Sequence, residues 1–396
     1  MRNLCVENKI SNTRMVRQLW KSLRKKRKVQ VVFLFISMIV SGIFEMSSLA
    51  MVKFFLDAIT DPIALRTSPL IVSLNNLLPI EIYPNLQLFI TLFFILTCAL
   101  TASVRLCNLW LVGIVSNGIG SDLSCQVYSN VLGQPYPYHL NINSSKIIAG
   151  LTTSVVGLVN SVRYIFNILT SIIIILILLF SLCFFLDLRI IFLSFSLFGL
   201  AYFLLAYFSR REMTNNSSYI LSANKLQVKF IQESLGSIKD LILNSNQSVF
   251  YNQYKNIDYK MRRKQAINSF IGASPRYIFE GIGFSVIAIF AFILSLENLN
   301  FIAILGTFAL AAQRLLPLIQ LMFFSWAGLR ANSAYMLEVL QMLDLLKTSE
   351  IKLSGQAYKF RKDIILKNIT FSYDANSSLA LSSISLKISK GERIGI

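Results

Sequence analysis

The chain has 396 residues, of which 55% are apolar and only 14% charged, and its mean hydropathy is +0.60. That is too hydrophobic for a soluble globular protein with ordinary loops. The net charge of +19 would point to nucleic acid on a soluble domain. On a chain this apolar it reads as the positive-inside bias of a membrane protein, with the lipid bilayer and no nucleic acid as partner.

Residues 1–28 are polar and basic, and the apolar run that follows is too long for the core of a cleavable signal peptide. Val16, Leu19, Trp20 and Leu23 recur at helical spacing. They predict an amphipathic elbow helix at the inner membrane surface, its basic neighbours held by anionic lipid. Six apolar segments follow, at 29–56, 86–115, 165–185, 190–208, 270–294 and 301–322. Each is near the ~20 residues that cross ~30 Å of hydrocarbon. Segment 57–85 reads either as a short amphipathic helix on the outer surface or as a loop with apolar anchors, and Asp187 and Arg189 mark a tight turn. Cys5, Cys98, Cys107, Cys125 and Cys183 lack metal-ligand spacing and read as buried free thiols.

Orientation follows from Lys and Arg placement. Arg24 to Lys28 crowd the front of the first span, and Arg210, Arg211, Lys225, Lys229 and Arg262 to Lys264 fill the gap between the fourth and fifth. Both termini are therefore expected in the cytosol. The excursions between spans two and three and between four and five lie on that side, so the sequons at Asn143 and Asn368 are discounted. Their polar stretches 217–232 and 247–266 contain neither Gly nor Pro and read as membrane helices continued into water. Each excursion breaks once, at Gly133-Gln-Pro-Tyr-Pro-Tyr-His and at Gly236 with Asn244-Ser-Asn. Two long helical hairpins with short tips are the expectation.

Charges inside spans are expensive and mark either a cavity wall or a helix–helix contact. Arg314 lies well inside the sixth span; Arg105 and Arg276 lie nearer the cytosolic boundary. Together they form a basic belt facing a central cavity, or else Arg276 pairs with Glu280 one turn on and Arg105 snorkels to the headgroups. Glu45 and Lys53 in the first span are equally ambiguous, with a helix–helix hydrogen bond the favoured role for Glu45. Pro275 and Pro317 read as kinks or as tolerated membrane prolines. Beyond a linker at 347–362, apolar residues alternate at Ile364, Leu366, Ile369 and Phe371 and again at Ile384, Leu386 and Ile388. Two strands are predicted there, with Gly391-Glu392 turning into a third from Arg393.

This C-terminal run, 363–396, resembles the opening of the nucleotide-binding domain of ATP-binding-cassette (ABC) transporters, and the hairpins resemble those of type-1 ABC exporters. Gln232-Glu-Ser-Leu-Gly-Ser-Ile-Lys-Asp, Ser274-Pro-Arg-Tyr-Ile-Phe-Glu and Ala312-Gln-Arg-Leu-Leu-Pro narrow the resemblance to the lipid-linked-oligosaccharide flippase group. It spans residues 19–396. It implies an all-α membrane protein, the six-helix type-1 exporter domain at 29–346 with long cytosolic extensions, followed by the first β-strands of a truncated nucleotide-binding domain. It implies ATP and Mg²⁺ as cofactors of the full-length family, with Tyr373 stacking on adenine. Tyr136, His139, Ser237 and Asp240 fall in the tips that, by resemblance, dock on nucleotide-binding domains. Arg314, Arg276 and Arg105 are the substrate-cavity candidates.

The phosphate loop, signature motif, magnesium-binding aspartate and catalytic glutamate would lie past Ile396. The chain alone is therefore not expected to hydrolyse ATP, and its partner is a homodimer mate or a separate ABC ATPase. The expected location is a bacterial inner membrane, and the expected cargo a lipid-linked glycan or another amphipathic molecule. A multidrug or lipid exporter of other specificity is the alternative. A secondary transporter is the more distant rival, because it would need internal repeats and midplane carboxylates.

Overall fold

The computed structural model describes residues 12–60, 86–182, 188–296, 301–345, 363–372 and 379–395. These form eleven helices, one π-helical turn and a two-stranded ribbon. Helix α1 (Asn12–Ser22) leads into α2 (Lys25–Thr60) and α3 (Leu86–Leu132). Short helices α4 (Tyr136–Asn141) and α5 (Ser144–Ala149) and a π-helical turn at Gly150–Ser154 join α3 to α6 (Val155–Leu182). Then come α7 (Leu188–Gly236), the short α8 (Ile238–Leu243), α9 (Gln247–Leu296), α10 (Phe301–Ala331) and α11 (Ser333–Leu343).

The described residues of the six predicted spans are helical, and 183–185 of the third lie outside the described residues. Among the described residues, three helical stretches are long and apolar enough to cross a membrane: Lys25–Val52, Gln87–Leu132 and Ser144–Phe180. Helices α3, α7 and α9 run on past their apolar stretches to 47, 49 and 50 residues. Pro275 and Pro317 sit inside unbroken helices.

The hairpin tips form where the sequence denies the helix its hydrogen bonds. Gly133 and Pro135 stop α3, and Pro135 sets an extended backbone (φ −67°, ψ 153°) before α4. Asn143 then caps α5, its side chain accepting from the Ser145 N–H at 2.9 Å. In the second hairpin, α8 ends at Asn244, and Ser245 turns the chain with φ 52°.

The main core is built by one face of α3, Val112, Val115, Ile119, Leu123, Val127 and Val131, at the three-to-four-residue helical spacing. It packs against Leu34 and Met38 of α2, Leu158, Val162 and Phe166 of α6, and Met336, Val339 and Leu340 of α11. The lower half of that face follows the apolar stretch 86–115, where burial from water stabilises by about 1.5–3 kcal/mol per large side chain. The upper half gains no such driving force from lipid and relies on close packing. The helices also approach closely in the lower half, where a Cβ at Gly120 would collide with Val159.

The amphipathic helix expected near the N-terminus forms as α1, where Leu19 joins Met15 and the following Leu23 in the core, leaving Val16 and Trp20 outside with Lys28 over the Trp20 ring at 5.8 Å. The expected burial of the thiols is corrected. The thiols of Cys107 and Cys125 are exposed and Cys98 is half-buried. For Cys107 the physical reason is that its apolar neighbours Leu106, Leu109 and Trp110 are themselves exposed on α3, and Cys125 lies past the apolar stretch altogether. On a helix that faces lipid, apolar surroundings do not mean burial.

Strands β1 (Asp363–Phe371) and β2 (Leu381–Ser389) pair antiparallel from Asp363↔Ser389 to Phe371↔Leu381. The register slips around Asn368, whose φ is 48° and whose Oδ1 accepts from Ser385 Oγ at 3.0 Å. Gly391, with φ 90°, takes the left-handed turn the sequence predicts. Residues 392–395, however, form no strand. A strand exists by pairing, and this segment is instead tied back into its turn, with Glu392 N–H donating to Ser389 O and Ser389 N–H to Glu392 Oε2.

Candidate functional site

One face of α2 carries Leu34, Met38, Ser41, Glu45, Ser48 and Val52, all buried. The apolar members at either end pack against neighbouring helices, and the polar centre meets α3 and α10. Glu45 Oε2 accepts from Arg314 Nη1 of α10 at 2.8 Å, and Glu45 Oε1 lies 3.0 Å from Arg105 Nη1 of α3. The Arg105 contact is an ion pair without hydrogen-bond alignment. Arg314 Nη1 also donates to Ser48 Oγ, whose own proton goes to Glu45 O at 2.9 Å. One turn before Arg105, Thr101 Oγ1 contacts Thr97 O at 2.7 Å and Phe44 O at 3.1 Å, fastening α3 to α2.

The exposures rank the members. The Glu45 side chain is 4% exposed, Arg314 27% and Arg105 55%. A charge this buried in an apolar bundle is costly unless it is paired. With one carboxylate and two guanidiniums, the cluster keeps a net positive charge, and its open side is Arg105.

The structure thus brings two of the three predicted cavity arginines together and leaves the third apart. Arg276 on α9 is exposed, as is Glu280, and no ion pair joins them among the described residues. The helix–helix role expected of Glu45 takes the form of an ion pair. The side chain of Lys53 and all of Tyr373 lie outside the described residues.

The tip residues sit as follows. Tyr136 is 71% exposed at the start of α4, and His139 packs edge-on to Tyr138, ring centroids 5.4 Å apart. Ser237 donates to Glu233 O at 2.7 Å, and Asp240 is exposed in the first turn of α8. Around them both tips display large apolar side chains: Leu132 and Leu140 on the first, Leu235, Ile238, Ile242 and Leu243 on the second. Leu243 is 72% exposed. Both hairpin ends therefore carry exposed apolar surface.

Sequence reasoning missed a second polar centre, at α11. Buried Glu338 pairs with Lys225 of α7 at 2.5 Å and accepts from Ser154 Oγ at 2.5 Å. Asn224 of α7 donates to the Tyr335 hydroxyl at 2.5 Å, and Ser217 Oγ accepts from the Ala334 N–H at 3.1 Å. Asn130 of α3 donates to Leu343 O at 3.1 Å. One short helix therefore knits α3, α6 and α7 together past their apolar stretches. An acidic residue inside an otherwise apolar helix was the one available signal. Burial holds the Tyr335 phenol above its ordinary range, with Glu338 adding to the effect and the Asn224 hydrogen bond opposing it.

No protein-family model matches the chain.

Proposed function

We propose that the chain is the membrane-spanning half of an ATP-driven type-1 ABC exporter that flips a lipid-linked glycan, or another amphipathic molecule with an anionic head, by alternating access. The observation that carries this reading is the Arg314–Glu45–Arg105 cluster, a cationic centre shared by three apolar helices. An anionic head leaving water needs replacement charge, and guanidinium groups supply it with directed donors. Glu45 holds the arginines while no cargo is present, and the head exchanges for it. Helices α3, α7 and α9 run unbroken from this level to the apolar tips. Movement at a tip is thereby carried along a rigid rod to the cluster.

In this reading the tips dock on nucleotide-binding domains, which bind ATP and Mg²⁺, with Tyr373 against adenine. Two copies of the chain, or one copy and a separate ABC ATPase, complete the machine in a bacterial inner membrane with both termini in the cytosol. The test is reconstitution in vesicles with a complete nucleotide-binding domain supplied, following a fluorescent lipid pyrophosphate probe. ATP-dependent flipping that falls on Arg314→Ala is the expected result. Flipping that ignores ATP and follows an ion gradient would sink the reading in favour of a secondary transporter.

A further inference from the structure

Arg210 of α7 and Arg330 of α10 come together just beyond the apolar stretches of their helices. One apolar cluster fixes the meeting. Ala206 and Met213, on either side of Arg210 in α7, pack in it with Trp326 and Ala331, on either side of Arg330 in α10. Arg330 is half-buried, its Cζ over the Trp326 ring at 5.8 Å from the centroid, while Arg210 is exposed. Burial, and then the charge of Arg210, hold the Arg330 guanidinium below its ordinary value. Two cations thus stand at one helix–helix seam, an arrangement that an anion between them would relieve.

The chain itself does not bring that anion to Arg210. No ion pair reaches Arg210 among the described residues. Glu212, the nearest acid in sequence, is exposed and lies about 200° further around the helix. The Glu45 cluster is remote, because Arg330 follows Arg314 along α10 by about 24 Å of helix rise.

The setting tells where an anion comes from. The predicted fourth span ends at 208 and the sixth at 322, which places both arginines at the polar edge of the bilayer. Both helices leave their apolar stretches toward the C-terminus, and helical side chains lean toward the N-terminus, so both guanidiniums lean back to the lipid. Tyr207 and Phe208, 68% and 75% exposed, and the half-buried Trp326 supply the aromatic layer of a membrane boundary. A basic pocket between helices at this depth has the chemistry to hold an anionic lipid head group. Two guanidinium forks match phosphodiester oxygens pairwise. Two positive charges also disfavour a head group that carries its own ammonium.

We propose that Arg210 and Arg330 form a site for an anionic phospholipid of the bilayer, its phosphate between the two guanidiniums and Trp326 beside its upper chains. This lipid is held in the seam between α7 and α10, separate from the cargo head assigned to the Glu45 cluster. The site rests on the chain spanning a bilayer and not on its being an exporter.

The test uses the full chain in phosphatidylcholine nanodiscs with Trp20→Phe and Trp110→Phe, which leave Trp326 as the single tryptophan. Brominated phosphatidylglycerol quenches Trp326 when its chains lie against the site, and brominated phosphatidylcholine gives the reference. A preference for phosphatidylglycerol of about tenfold is expected, the scale of one charge-assisted hydrogen bond. Arg210→Gln should abolish that preference, and Arg330→Lys, which keeps the charge and loses the fork, should reduce it. Arg211→Gln removes an equal charge at the next exposed position and should leave the preference within about twofold, less than one hydrogen bond. No preference in the parent, or equal loss in Arg210→Gln and Arg211→Gln, would overturn the proposal. A preference erased by millimolar inorganic phosphate would give the two arginines to a soluble anion and overturn the lipid. Absence of ATP-dependent flipping with the lipid preference intact would overturn the exporter reading alone.

Discussion

Glu45 on α2 and Arg314 on α10, 269 residues apart in sequence, meet at 2.8 Å inside the helix bundle. The pair joins the first predicted span to the sixth. Because Arg105 approaches the other carboxylate oxygen, Glu45 is the anion that makes the two guanidiniums compatible with so apolar a setting.

Removing it is therefore expected to cost more than removing either arginine. Glu45→Ala leaves a partly buried Arg314 without its counter-ion, for which a loss of about 3–5 kcal/mol is the ordinary scale. Arg105, more than half exposed, adds little, because solvent and headgroups screen it. Glu45→Gln combined with Arg314→Met should recover most of the loss, since it abolishes both charges together. Thermal unfolding in nanodiscs decides the matter: a Glu45→Ala variant that melts with the parent would show that the cluster does not hold the bundle.

A second expectation concerns α11. Glu338 meets Lys225 and Ser154 at once, so their contributions should not add. Glu338→Gln and Lys225→Met are each expected to destabilise. In a double-mutant cycle the pair should show a coupling of about 0.5–3 kcal/mol, the range for residues in one network. Chemical denaturation of the four proteins measures it, and additivity within error would remove Lys225 from the network.

The sequence disclosed the long helices because hydropathy and length are local properties, and it disclosed the first tip because Gly133 and Pro135 break a helix wherever they stand. Glu45 was visible as a charge out of place, yet its partners were not. Arg314 stood out by its depth in the sixth span, but nothing local distinguishes Arg105, which reaches Glu45, from Arg276, which does not. The α11 network was hidden for the same reason. The thiols misled because an apolar neighbourhood signifies core in water but surface in lipid.

Tyr335 gives a pH dependence with a definite sign. Its phenol is raised from the ordinary 10.0, chiefly by burial, so the folded chain favours the neutral form. The resulting stability is fully present below the ordinary phenol value and is lost as pH rises through the higher, folded one. Melting temperature should thus fall across strongly alkaline pH, and Tyr335→Phe should flatten that fall. Ultraviolet titration of tyrosinate identifies the group. An alkaline fall of the same size in Tyr335→Phe would assign the effect elsewhere.

The last expectation separates stability from docking. Ile242 and Leu243 are 58% and 72% exposed on α8, so they contribute almost nothing to the packing of this chain. Replacing both with Ser should change its unfolding free energy by no more than about 0.5 kcal/mol per site, as surface substitutions do. If the tip is a docking surface, the same double variant loses large apolar anchors from the centre of an interface. Anchors of that kind carry about 1 kcal/mol or more each, so affinity for a purified nucleotide-binding domain should fall by about tenfold or more. Biolayer interferometry against nanodisc-held chain reads this directly. Unchanged affinity with unchanged stability would leave the apolar tip without a role in docking, and with it the mechanical link from ATP to the Glu45 cluster.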